Sequence, residues 1–108
     1  MKLFNNIGDI RGEAKEVTTA AQALLAANEG VQFLAVPLGK LDDSGIRGME
    51  VIEELVDIFG KSSLDCKIIA TDVRSPIHVT RAARFGCYGA IIEAQDIRAK
   101  MQGMQGRG

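Results

Sequence analysis

Two kinds of apolar run alternate along the chain. Val31 to Pro37 (VQFLAVP), Lys67 to Thr71 (KIIAT) and Cys87 to Ile92 (CYGAII) are short and almost continuously apolar. That is the pattern of strands covered on both faces. Helical periods lie between them. Met49 to Phe59 (MEVIEELVDIF) sets Met49, Ile52, Leu55, Val56 and Phe59 on one face, with Glu50, Glu53, Glu54 and Asp57 mostly opposite. This predicts an amphipathic helix, and Gly60 stands where a helix-ending glycine belongs. Ser75-Pro76 pairs an N-cap with a first-turn proline and predicts a helix through Phe85, stopped by Gly86. Thr18 or Thr19 caps a further helical run, Ala20 to Asn28 (AAQALLAAN), which ends near Gly30. Glu93 to Met101 reads as a last, short helix.

The ends are less patterned. Leu3 to Ile7 is a weak strand candidate, and Gly8 to Glu16 mixes glycine with charge and reads as a loop or short extra helix. The glycine-rich tail, residues 103–108, is expected to fray. The order is a weak strand followed by alternating helices and strands. It predicts an α/β fold with a parallel sheet, right-handed crossovers and about four βα units in one domain over residues 1–108.

Composition narrows the function classes. The 108 residues are 46% hydrophobic and 25% charged, with a formal net charge of −1. Nucleic acids and anionic membranes call for clustered Lys and Arg, so neither is an expected partner. No apolar stretch approaches the roughly 18 residues of a membrane span. The first residues lack the layout of a signal peptide, which makes the cytoplasm the expected location. Two cysteines and one histidine are too few for a zinc site of Cys and His alone. Cys66 and Cys87 each open an apolar run and read as small core residues.

Candidate chemistry gathers just past the strand-like runs. Lys40 follows the first of them, on the side where parallel α/β proteins put their sites. It reads as a turn lysine, a contact for an anion, or a reactive amine. Asp42 and Asp43 read as paired carboxylates or as turn and cap residues ahead of a helix beginning near Ser44 to Gly48. Arg74, with the N–H groups near Ile77 and His78, reads as an anion cradle at a helix start, or as half of a surface pair with Asp72. His78, in the first helical turn, reads as a structural hydrogen-bonding residue. No phosphate-binding glycine loop, nucleophile elbow or metal motif is present, and no cofactor is implied.

Three stretches together resemble the small transaldolase and fructose-6-phosphate aldolase family. TTAAQALLAANEG (Thr18 to Gly30) is similar to the helix after that family's fifth barrel strand. VPLGKLDDSGIRGMEVIEELVDIF (Val36 to Phe59) resembles its sixth strand, its Gly-Arg-(Leu/Ile)-Asp-Asp turn and the next helix. KIIATDVRSPIHVTRAARFGCYGAII (Lys67 to Ile92) resembles the seventh strand, the Ser-x-Arg-x-Pro-x-His-Val turn, a helix and the eighth strand. The resemblance implies the C-terminal half of a TIM-type (β/α)8 barrel, from enzymes of carbohydrate metabolism that work through a Schiff base. It implies that the Schiff-base lysine belongs to a fourth strand with no counterpart in these residues. It places the family's catalytic acid at Leu38, whose aliphatic side chain relays no proton. In the phosphate pocket it maps the turn's Arg to Lys40 and the Ser to Asp72, and keeps the second Arg as Arg74. Lys40 retains charge without the bidentate fork, and Asp72 repels an anion unless it pairs with Arg74.

The resemblance thus implies a transaldolase-like chain with weak or no aldolase activity, Lys40 being the one lysine placed to replace the missing amine. The alternative is a non-catalytic protein that binds a sugar phosphate or other small anion, or that serves assembly. Half a barrel leaves two open edges and a bare inner face. Two chains could close it as a C2 homo-oligomer, whereas an open sheet covered on both faces is the competing arrangement.

Overall fold

In a computed structural model, which describes residues 1–103, the chain forms a five-stranded, wholly parallel sheet. The strands are β1 (Lys2–Phe4), β2 (Ala14–Glu16), β3 (Phe33–Pro37), β4 (Lys67–Thr71) and β5 (Gly89–Ile91). The helices are α1 (Ala20–Asn28), α2 (Leu38–Asp43), α3 (Gly48–Lys61), α4 (Pro76–Phe85) and α5 (Gln95–Met101). Strand order is β1-β5-β4-β3-β2. The expected α/β fold with four βα units is therefore present, with one further strand at an edge. The tail expected to fray lies, from residue 104, outside the described residues.

Local chemistry accounts for the element boundaries. The Thr19 hydroxyl accepts from the Gln22 N–H at 3.2 Å, and the Gln22 side chain accepts from the backbone N–H groups of Thr18 and Thr19. This reciprocal cap starts α1. The Ser75 hydroxyl accepts from the His78 N–H ahead of α4, and Gly86 ends that helix at φ +90°, a left-handed stop that costs glycine little. Two boundaries differ from expectation. Gly60 does not stop α3, which runs on to Lys61, because a lone glycine is tolerated within a well-packed helix. The stretch expected as a turn, Leu38 to Asp43, closes into the short helix α2.

The N-terminal region departs further. The strand ahead of α1 is Ala14–Glu16, and Leu3–Ile7 contributes only its first residues, to β1 at the opposite edge. β2 pairs with β3 through Ala14, Lys15 and Glu16, opposite Phe33, Leu34 and Ala35. From β2 to β5 each connection moves one place across the sheet, and its helices lie on one face. There Leu34, Val36, Ile68, Ala70, Ala90 and Ile92 pack with Ala23, Ala26, Ile52, Leu55, Val79 and Ala82. The step from β1 to β2 travels the other way. A right-handed connection in the reverse direction must cross the opposite face. Residues 5–13 do so: Ile10 joins Phe33, Ile69 and Ile91 in a second cluster, flanked by Phe4, Ala14 and Tyr88. The inner face, expected to be bare, is covered by the chain's own strap. Arg98 of α5 fastens the far edge, donating from Nε to the Ile92 carbonyl at 2.8 Å and from a terminal nitrogen to the Phe4 carbonyl at 2.9 Å.

No helix among the described residues is long and apolar enough to cross a membrane.

Candidate functional site

All five strands are parallel, so their C-terminal ends share one rim, and the following loops place Lys40, Asp42, Asp72 and Arg74 along it. An open cleft of about 620 Å³ lies at this end. Ala35, Pro37 and Ile91 line it from the sheet, Ile7 from the strap, and Glu16, Lys40, Asp72 and Glu93 carry its charge. Sites on open parallel sheets form in this position, beyond the carboxyl ends of the strands.

Lys40, in the first turns of α2, is drawn back toward β2. Its Nζ lies 3.1 Å from the Glu16 carboxylate, with both side chains more than half exposed. An exposed pair of this kind adds little stability but fixes where the amine points.

Arg74 is the centre of the second half of the rim. One terminal nitrogen donates to both Asp43 carboxylate oxygens at 2.8 Å, and the other donates to Asp72 at 3.0 Å. Hydrogen bonding from Asp43, then from Asp72, pushes the guanidinium still further above its ordinary range. The two partners sit 31 and 2 residues away, so folding of α2 against the loop after β4 is what gathers them. Asp72 holds φ +49°, in the left-handed region that a short polar side chain tolerates best. Its carbonyl accepts from the Gly39 N–H at 3.0 Å, which anchors the turn. Gly39 has a second role. A Cβ there would run into the Nε and Cζ of Arg74, so the Arg74 side chain passes directly against the bare glycine.

Asp42 behaves differently from its neighbour. One oxygen accepts from the Gly48 N–H at 3.0 Å, which caps the first turn of α3. The other lies 3.5 Å from His78 Nε2. The His78 Nδ1 accepts from the Arg74 N–H at 3.4 Å, which assigns the ring proton to Nε2 in the neutral tautomer, facing Asp42. His78 thus links the two rim loops. Its own N–H is directed to Ser75, at the start of α4.

Leu38 requires a correction. It is fully buried in the helix-side core and does not face the cleft. Side chains alternate along β3, which sets Phe33, Ala35 and Pro37 on one face, and Pro37 is the last of them to line the cleft. Pro37 also carries no proton to relay. Cys87 is buried, and Cys66 is half-buried with its thiol donating to the Val31 carbonyl at 3.3 Å. Burial pushes both thiols up, Cys87 to about 11, so neither is a ready nucleophile. No cluster of three or more His, Cys, Asp or Glu among the described residues could hold a metal ion.

Glu16, Glu93 and Gly39 carry no signal in the sequence that marks them as site residues, and the pairing of Asp43 with Arg74 carries none either. Glu16 belongs to a strand with no apolar pattern, and the Gly39–Arg74 contact joins residues 35 apart along the chain. The GKLDD and DVRSP segments could have shown that two charged loops follow neighbouring strands, but not which charges pair.

No family model matches the chain. Among curated proteins, a probable transaldolase of Brevibacillus brevis is 48% identical over 86 residues, covering 80% of this chain and 40% of that protein. One of Clostridioides difficile is 47% identical over 86 residues, covering 80% and 39%. One of Bacillus anthracis is 41% identical over 97 residues, covering 90% and 45%. The chain spans about two fifths of the length of these relatives. Among solved structures, a mandelate oxidase variant superposes with a TM-score of 0.55 at 17% identity, over 73% of this chain and 24% of that one. At that identity the likeness concerns the fold alone, a sector of a TIM-type barrel. Identity above 40% across four fifths or more of the chain makes it similar to a part of these probable transaldolases.

Proposed function

We propose that these residues form the ligand-holding side of a transaldolase-type cleft and do not themselves carry out aldol chemistry. The observation that carries this reading is the state of Lys40, the one lysine lining the cleft. A Schiff-base lysine attacks a carbonyl as the free amine and needs an enclosed site. The Lys40 nitrogen is instead 3.1 Å from Glu16 on an open rim. At the place where the resemblance puts the family's catalytic acid, neither Pro37 nor buried Leu38 can accept or donate a proton. What the rim does supply is a shaped cleft with fixed polar groups, which suits recognition of a small polar molecule.

The test is turnover. Purified protein incubated with fructose 6-phosphate is expected to release no triose above a protein-free blank. Release that disappears in Lys40→Ala would overturn the proposal and make Lys40 the working amine.

A further inference from the structure

The charge of the cleft points to a narrower conclusion, which rests on the ligand-holding reading above. With Arg74 and its partner Asp43 counted beside the cleft's own charges, this rim sets four carboxylates (Glu16, Asp43, Asp72 and Glu93) against two cations (Lys40 and Arg74), a net of two negative charges. Lys40 is already paired with Glu16. Arg74, the other cation at this rim, is held by two carboxylates at once, with Asp43 and Asp72 filling the directions in which a guanidinium fork would meet a phosphoryl group. The N–H of His78, at the start of α4, is turned toward Ser75. An entering phosphate dianion would therefore meet Glu93, which has no ion-pair partner among the described residues, and two cations that Glu16, Asp43 and Asp72 already engage. It would have to break the Arg74 pairs to gain a contact.

A hydroxyl meets the opposite situation. Carboxylate oxygens accept hydrogen bonds from O–H groups without charge repulsion. Ile7, Ala35, Pro37 and Ile91 supply an apolar bed for a carbon skeleton. We infer that this cleft selects an unphosphorylated polyhydroxylated ligand and rejects its phosphate ester, with Asp72 and Glu93 as the excluding residues. Specificity of this kind comes from repulsion of the wrong ligand as much as from attraction of the right one.

The experiment is a titration of the labelled protein followed by amide NMR, with fructose and fructose 6-phosphate as probes, a pair that differs by the phosphoryl group. Fructose is expected to shift the amides of Glu16, Thr71, Asp72 and Glu93 saturably. Fructose 6-phosphate at equal concentration is expected to leave them in place. In the double variant Asp72→Asn, Glu93→Gln, the phosphate ester is expected to gain at least about tenfold in affinity while fructose changes little. The two neutral replacements keep side-chain size, and their amide spectra report directly whether the fold is kept. Tighter binding of the phosphate ester to the unaltered protein would overturn the inference. So would binding of neither sugar, or a double variant with the same preference as the parent. Turnover through Lys40 would instead defeat the ligand-holding reading, and the sugar preference would still be read separately.

Discussion

The strap that crosses the inner face is the least conventional part of the fold, and Ile10 is its anchor. Ile10 is 9% exposed and packs with Phe33, Ile69 and Ile91. Ile69, on the central strand β4, is fully buried on the side where the strap, and Ile10 in it, packs against the sheet. Replacing Ile10 with Ala removes most of a buried aliphatic side chain. Transfer of that surface to water costs about 1.5–3 kcal/mol, and partial collapse of the strap limits the added cavity cost. A loss of about 2–3 kcal/mol is expected, read as a lower urea midpoint with an unchanged slope. Val79→Ala on the helix-covered face serves as the reference, with a smaller loss from fewer deleted carbons. Hydrogen exchange of Ile69 and Ala70 amides should quicken in Ile10→Ala. A change below about 0.5 kcal/mol, within the range of ordinary surface substitutions, would refute the strap as a second core.

Two further substitutions test the rim and the core. Gly39→Ala pushes Arg74 off Asp43 and Asp72. The loss of exposed pairs and the gain of alanine in a helix are each about 1 kcal/mol or less, so stability is expected to change by less than about 1 kcal/mol. The Arg74 Nε–H signal should move in the same variant, and an unmoved signal would show that the Arg74 side chain does not pass against Gly39. Cys87 gives a pH signature. Burial raises its thiol from 9.0 to about 11, so its contribution is full below pH 9 and is lost as pH rises through 11. Two units correspond to about 2–3 kcal/mol. Cys87→Ala is expected to flatten the fall in stability between pH 9 and 11 by about that amount, and parallel curves would disprove it.

Much of this fold is legible in the residues because its strong elements rest on local rules. α1, β4 and α4 begin and end where caps, proline and apolar runs place them. β2 was not legible: Ala-Lys-Glu has no apolar alternation, and its pairing depends on backbone contact with β3. Nor was the path from β1 to β2, since a long-range strand order leaves no periodic trace and Ile10 stands between Asp9 and Arg11. At the rim, Lys40, Asp42, Asp72 and Arg74 were visible as charges after strands. Their pairing was not visible, because whether Arg74 meets Asp72 alone or Asp43 as well depends on how α2 folds beside β4. The resemblance places Leu38 at the rim, whereas its side chain is buried in the core and its neighbour Pro37 lines the cleft.

The measurement that bears most directly on the proposed role is borohydride trapping read by intact mass. The protein would be incubated with dihydroxyacetone and with fructose 6-phosphate in the presence of borohydride, beside Lys40→Ala. The expected result is an unchanged mass for both proteins under conditions in which each is folded. A mass increase of one reduced adduct in the parent, absent from Lys40→Ala, would place a Schiff base on Lys40 and contradict the ligand-holding role.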